Sequence, residues 1–129
     1  MVKIPISGSN PSGPAAVLAN SINGADGLLV DDHDNLWVVE NQSDDIVVLD
    51  STGKVIRKLG DFGGAIRRGS PVGLLFPASI RFSGRHLLVT NLSLDLRLFN
   101  PAFITNDSEW CAQVTRYTVV RIPLHRERH

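Results

Sequence analysis

Two stretches about 50 residues apart share one pattern. Ala25-Asp26-Gly27-Leu28-Leu29-Val30-Asp31 is followed by Asn35-Leu36-Trp37-Val38-Val39-Glu40-Asn41. Pro77-Ala78-Ser79-Ile80-Arg81-Phe82-Ser83 is followed by Arg85-His86-Leu87-Leu88-Val89-Thr90-Asn91. Each stretch is two short apolar runs joined by a polar turn, and such runs bounded by turn residues read as paired strands. Repeats of this period are supersecondary units that bury their faces only by stacking on a neighbour. The recurrence therefore constrains the chain to stacked sheets more tightly than any single motif does.

The first unit continues with a third strand over Asp45–Asp50, a turn at Ser51-Thr52-Gly53 and a fourth strand over Lys54–Leu59. Leu36-Trp37-Val38-Val39 and Ile46-Val47-Val48-Leu49 are apolar on both faces, as in a sheet covered on both sides, while Lys54–Leu59 is the more polar, water-facing edge. Helical spacing is nearly absent, so the expected class is all-β, a segment of a β-propeller. Gly60 to Gly73, rich in glycine and carrying Arg67-Arg68, reads as a loop between blades. Pro77–Ser83 and His86–Leu92 open the next blade, Leu94–Trp110 reads as irregular, and Val114–Leu124 as a closing strand. Near the start, Val2–Ile6 and Ala15–Ser21 read as short strands around a turn-rich loop, and Lys3-Ile4-Pro5-Ile6 echoes Arg121-Ile122-Pro123-Leu124. The expected single partial domain over 1–129 thus comprises the end of one blade (1–24), a complete blade (25–60), most of another (74–124) and a tail (125–129). That is roughly two and a half blades, against four to eight in a closed ring.

A formal net charge of zero argues against nucleic acid or an anionic membrane as the partner, since both select concentrated basic surfaces. No apolar run approaches the roughly 18 residues of a membrane span, and Met1-Val2-Lys3-Ile4-Pro5-Ile6 lacks a signal-peptide apolar core, so a cytoplasmic protein is expected. Cys111 is the only cysteine, which rules out an internal disulfide or a cysteine-rich zinc site; beside Trp110 it reads as a small buried apolar residue. No His-Glu-x-x-His or Gly-x-Ser-x-Gly pattern occurs, so zinc-protease and serine-hydrolase readings lack support.

Ala25–Asp31, Asn35-Leu36-Trp37-Val38, Ile46–Asp50 with Gly53-Lys54-Val55, Phe76–Ser79 and Leu87–Asn91 together resemble the SMP-30/gluconolactonase (luciferin-regenerating-enzyme-like) family of six-bladed propellers, within a wider group that includes NHL-repeat proteins. The resemblance covers most of the chain but only about the later half of the family's length. It implies a lactone hydrolase working on small lactones with a divalent metal, usually calcium, in the central channel. Asp26 matches the position of the family's Asp-Gly aspartate, and the resemblance makes it both a metal ligand and a catalytic base. A hard cation takes oxygen ligands and polarises a carbonyl or activates water. The family's Glu-Gly-Pro motif is absent here, and Asn23-Gly24 stands just before Asp26 rather than in an earlier blade.

The same residues admit plainer roles. Asp26 also suits a turn residue bonding its own backbone ahead of a strand. Asp31-Asp32-His33-Asp34 lacks the spacing and glycine of a calcium loop and reads as a hairpin tip. Asn41 and Asn91 end equivalent strands and face either a channel or their own turns. Two functions follow: a truncated or reduced calcium-dependent lactonase completed by a second copy, or a non-catalytic repeat module that binds a ligand or protein. Because blade faces left uncovered promote association, a homo-oligomer completing a ring is expected.

Overall fold

Thirteen strands appear in the computed structural model, which describes residues 1–124; the tail expected over 125–129 lies outside the described residues. In chain order they are β1 (Val2–Lys3), β2 (Ile6–Ser7), β3 (Asn10–Pro11), β4 (Ala16–Val17), β5 (Ala25–Val30), β6 (Leu36–Glu40), β7 (Asp45–Leu49), β8 (Val55–Leu59), β9 (Phe62–Arg67), β10 (Ser70–Gly73), β11 (Pro77–Ser83), β12 (His86–Asn91) and β13 (Thr118–Pro123). A single turn of 3-10 helix (Leu96–Leu98) and the short helix α1 (Ser108–Cys111) lie between β12 and β13. The fold is all-β: β5-β6-β7-β8 form a four-stranded antiparallel sheet, β11-β12-β13 a three-stranded one, and β1-β4, β2-β3 and β9-β10 are pairs. None of these sheets closes on itself.

Turn chemistry sets the first sheet. The Asp31 carboxylate accepts hydrogen bonds from the backbone N–H of His33 (2.9 Å) and Asn35 (3.0 Å), from Asn35 Nδ2 (3.0 Å) and from Trp37 Nε1 (2.9 Å). Asp50 repeats the local half of this arrangement at the β7–β8 turn, accepting from Thr52 N (2.9 Å) and Lys54 N (3.1 Å). In both turns the residue three places on, Asp34 or Gly53, adopts positive φ. An aspartate that satisfies two turn N–H groups fixes hairpin length and hence register. Burial pulls the Asp31 carboxyl upward, but the hydrogen bonds from Trp37, Asn35 and His33 outweigh it and bring its pKa down to about 2. A carboxyl depressed in the folded state stabilises the fold above its unfolded value, near 3.9, and that support is lost as pH falls toward 2. Acid unfolding followed by Trp37 fluorescence should therefore show a stability loss between about pH 4 and 2 that Asp31→Asn largely removes. An identical profile in the variant would mean that the turn contributes nothing.

The two large sheets pack face to face. Trp37, Val39, Ile46 and Val48 of the first meet Leu87 and Val89 of the second, with Leu74 between them and Ile80, Phe82, Val120 and Ile122 around them. Trp37 meets Phe82 edge-on, with ring centroids 5.4 Å apart. The opposite face of the first sheet (Val38, Val47, Leu49) is covered by Ala19, Ile22 and Met1, so β6 and β7 are buried on both sides, as their composition requires. β8 is largely exposed, matching its polar pattern.

The sequence repeat is also a repeat of structure. Between the pairs Ala25↔Glu40 and Leu28↔Val38, Asp26 and Gly27 stand opposite Val39 alone, which is a β-bulge. Between Pro77↔Asn91 and Ile80↔Val89, Ala78 and Ser79 stand opposite Thr90 alone. The two bulges are stacked. A Cβ on Gly27 would run into the carbonyl oxygen of Ala78 and lie 3.0 Å from Ser79 Cα, so glycine here permits backbone-to-backbone approach of the inner strands.

Three segments differ from the sequence-based expectation. Gly60–Gly73 is a β9–β10 hairpin rather than a loop. Arg68 and Gly69 both take positive φ (51° and 81°), the conformation a two-residue hairpin turn needs, and Gly69 O accepts from Thr115 N and Arg116 N. The N-terminal strands are shorter than expected, and the closing strand starts at Thr118 rather than Val114, because Cys111–Val114 completes a helical turn. The second sheet is one-sided: Ser79, Arg81, Thr90, Val119 and Arg121 are exposed on its outer face.

Candidate functional site

The entrance to each inner strand is built in one way. Asn23 N donates to the buried Glu40 Oε1 at 2.8 Å, while the equivalent Leu75 N donates to the buried Asn91 Oδ1 at 3.0 Å. Asn41 N bonds Gly24 O (3.0 Å), and Leu92 N bonds Phe76 O (3.1 Å). Gly24 and Phe76 both have positive φ (67° and 44°). Asn91 also donates from Nδ2 to Gly73 O (2.8 Å) and Thr118 Oγ1 (3.1 Å). The structural counterpart of Asn91 is therefore Glu40, not Asn41 as strand ends alone suggest. Glu40 and Asn91 serve backbone, one polar group fastening the chain just ahead of each inner strand.

This end of the first sheet is acidic. Lys58 Nζ bridges Asp45 (2.7 Å) and the deeply buried Glu40 (3.4 Å). Burial raises the Asp45 pKa, Glu40 adds to the rise, and Lys58 opposes it; hydrogen bonding to Asp45 in turn raises Lys58. One ammonium between two carboxylates holds charge in place, and removing it would strand buried acid.

Asp26 is exposed, at the bulge, with the exposed Leu28 and Val30 following it along β5. Among the described residues, no group of three or more His, Cys, Asp or Glu is placed to hold a metal ion. Calcium takes six to eight oxygen ligands, so a calcium site at Asp26 would draw most of them from amide or backbone carbonyls or from another molecule. Of the other sequence candidates, Asp31 holds its own turn, and His86 is half-buried within β12. Arg67 and Arg68 end a hairpin strand and begin its turn. Cys111 is buried as expected, its thiol pushed up to about 12 by burial and by the charges of Asp107, Asp44 and Asp95, which makes it unreactive at neutral pH.

An open cleft of about 490 Å³ lies on the N-terminal side, lined chiefly by Met1, Val2, Leu18, Leu28, Val30 and Leu36. Its walls are mostly apolar, with Lys3, Asp34 and Ser51 adding polar groups, and Asp26 is not among them. Leu28 and Val30 are the repeat equivalents of Ile80 and Phe82, which the first sheet covers. The cleft is thus the place where a further sheet would pack.

Sequence reading missed Asp44 in the β6–β7 turn, whose Oδ1 accepts from Phe76 N at 2.7 Å, because that tie to the chain entering β11 is purely tertiary. No protein-family model matches the chain, and no curated protein or solved structure matches it either.

Proposed function

We propose that the chain is a propeller-type repeat segment of the SMP-30/gluconolactonase kind, and that it acts as a non-catalytic module binding an apolar ligand or protein surface. The observation that carries this reading is the use made of the Asp-Gly motif. Its glycine is consumed in stacking the bulges, and the face beyond it, with Leu28 and Val30 exposed, opens into an apolar cleft instead of a ring of oxygen ligands. Apolar clefts with few polar groups are the usual form of ligand and partner sites. On this reading, association joins the Leu28/Val30 face to an apolar sheet surface, because the outer face of β11-β12-β13 carries Arg81 and Arg121. The second reading is a lactonase in which Asp26 binds calcium together with ligands from another copy.

Calcium titration calorimetry separates the two. The module reading expects equal, negligible heats for the wild type and Asp26→Ala. A saturable calcium heat that disappears in Asp26→Ala would establish the metal site and restore the hydrolase reading.

A further inference from the structure

Between β12 and α1 the chain forms an apolar tip that neither reading of the function uses. All seven residues from Leu98 to Ile104 are exposed. Leu98, Phe99 and Ile104, at 78%, 73% and 72%, are the most exposed large apolar side chains among the described residues, and Phe103 stands at 54%. No charged residue occurs from Leu98 to Asn106. The tip nevertheless has a built base. Arg97 donates to both oxygens of the buried Asp95 (Nε at 2.9 and 3.1 Å, Nη2 at 2.8 Å), to Ser108 O (3.2 Å) and to Glu109 Oε1 (2.5 Å). One guanidinium thus ties the chain entering the tip to the chain leaving it and closes a compact loop whose ends are close. Every backbone N–H from Arg97 to Thr105 is satisfied within this segment. Arg97 N and Leu98 N bond Asp95, Phe99 N and Asn100 N bond Leu96 O, and Ala102 N and Phe103 N bond Asn100. Ile104 N bonds Ala102 O and Thr105 N bonds Ser108 Oγ, while Pro101 carries no N–H.

We infer that this loop is an interfacial anchor: Leu98, Phe99, Phe103 and Ile104 enter the boundary between headgroups and acyl chains of a zwitterionic phospholipid bilayer. The protein then lies on the membrane, and no helix among the described residues is long and apolar enough to cross it. Exposed apolar patches serve either a protein or a membrane, and three observations select the lipid. A protein interface carries about one hydrogen bond per 100–200 Å², whereas this tip presents no free backbone N–H. A chain whose donors are satisfied internally is what a water-poor medium demands. Side chains left about three-quarters exposed need a partner that closes around them, which fluid acyl chains do without a matching pocket. Finally, the exposed Tyr117 borders the same hollow as Leu98 and sets an amphipathic ring beside the tip, as Tyr and Trp stand at membrane interfaces. The balanced charge that speaks against an anionic surface is no obstacle, because apolar insertion needs no basic patch.

Flotation of the whole chain with vesicles of pure phosphatidylcholine reads the docking directly. The wild type should float with the lipid, and should do so equally at about 0.05 M and about 0.5 M salt, since no charge is involved. Phe99→Ser combined with Phe103→Ser should lower the partition coefficient at least about tenfold, because both rings lose the apolar area that lipid covers. Both positions are exposed, so the urea midpoint of the double variant should match the wild type. Ile56→Ser, at a site on β8 exposed to the same degree as Phe103, is the control and should float like the wild type. Phe103→Trp should add emission that shifts to the blue when vesicles are added and is quenched by brominated acyl chains. A wild type that stays in the buffer, flotation lost with salt, a double variant that floats undiminished, or unquenched emission from Phe103→Trp would each overturn the anchor. So would a wild-type oligomer that the double variant dissolves without lipid present, since a second copy would then cover the tip.

Discussion

Gly27→Val should destabilise the protein by about 3 kcal/mol, the upper end of what overpacking a close contact usually costs. The added side chain meets the carbonyl oxygen of Ala78, Ser79 Cα and the Ile80 nitrogen, all of them backbone atoms of a strand already paired with β12. A side chain in the way could change rotamer, but these atoms can yield only if the two sheets separate. Trp37, edge-on to Phe82 across the same interface, supplies the fluorescence signal for a urea titration. Gly63→Ala is the control, since a Cβ there meets nothing within 4 Å; it should shift stability by no more than about 0.5 kcal/mol. A Gly27→Val protein as stable as the wild type would mean that the sheets do not stack through their bulges.

Asn91→Leu should cost a similar amount, about 3 kcal/mol, for a different reason. Leucine fills comparable space but leaves Leu75 N–H and Gly73 C=O without the partners that Asn91 supplies, and an unsatisfied buried polar group costs about 1–3 kcal/mol. Thr118→Val removes only the third and longest Asn91 contact, so its effect should stay below about 1 kcal/mol. Equal effects from the two changes in a urea titration would show that Asn91 acts through packing and not through the backbone it holds.

Much of the fold was legible in the sequence because strand identity is a local property. The runs at Leu36–Val39 and Ile46–Leu49 announce strands covered on both faces, and the Asp50-to-Gly53 turn marks its own hairpin. The β9–β10 hairpin was hidden because glycines that read as loop punctuation serve as strand and turn residues, and an Arg-Gly turn is not among the strong hairpin signals. The bulges were hidden because they change pairing, not periodicity. The pairing of Asn41 with Asn91 failed by one residue: both end apolar runs, but only register reveals that Glu40 fills the place of Asn91. At the candidate site, the position of Asp26 at the head of β5 was readable. The bond from Phe76 N to Asp44 was not, since nothing near either residue refers to the other.

The stack has a direction. Along the repeat, Gly27, Leu29 and Val39 of the first sheet are replaced by Ser79, Arg81 and Thr90 in the second, so the surface that receives a neighbour in one unit repels it in the next. Grafting an additional four-stranded unit onto the Leu28/Val30 side would shelter grease already in place. The same graft on the other side would have to strip water from two arginines, Arg81 and Arg121, and would need those positions redesigned as aliphatics first.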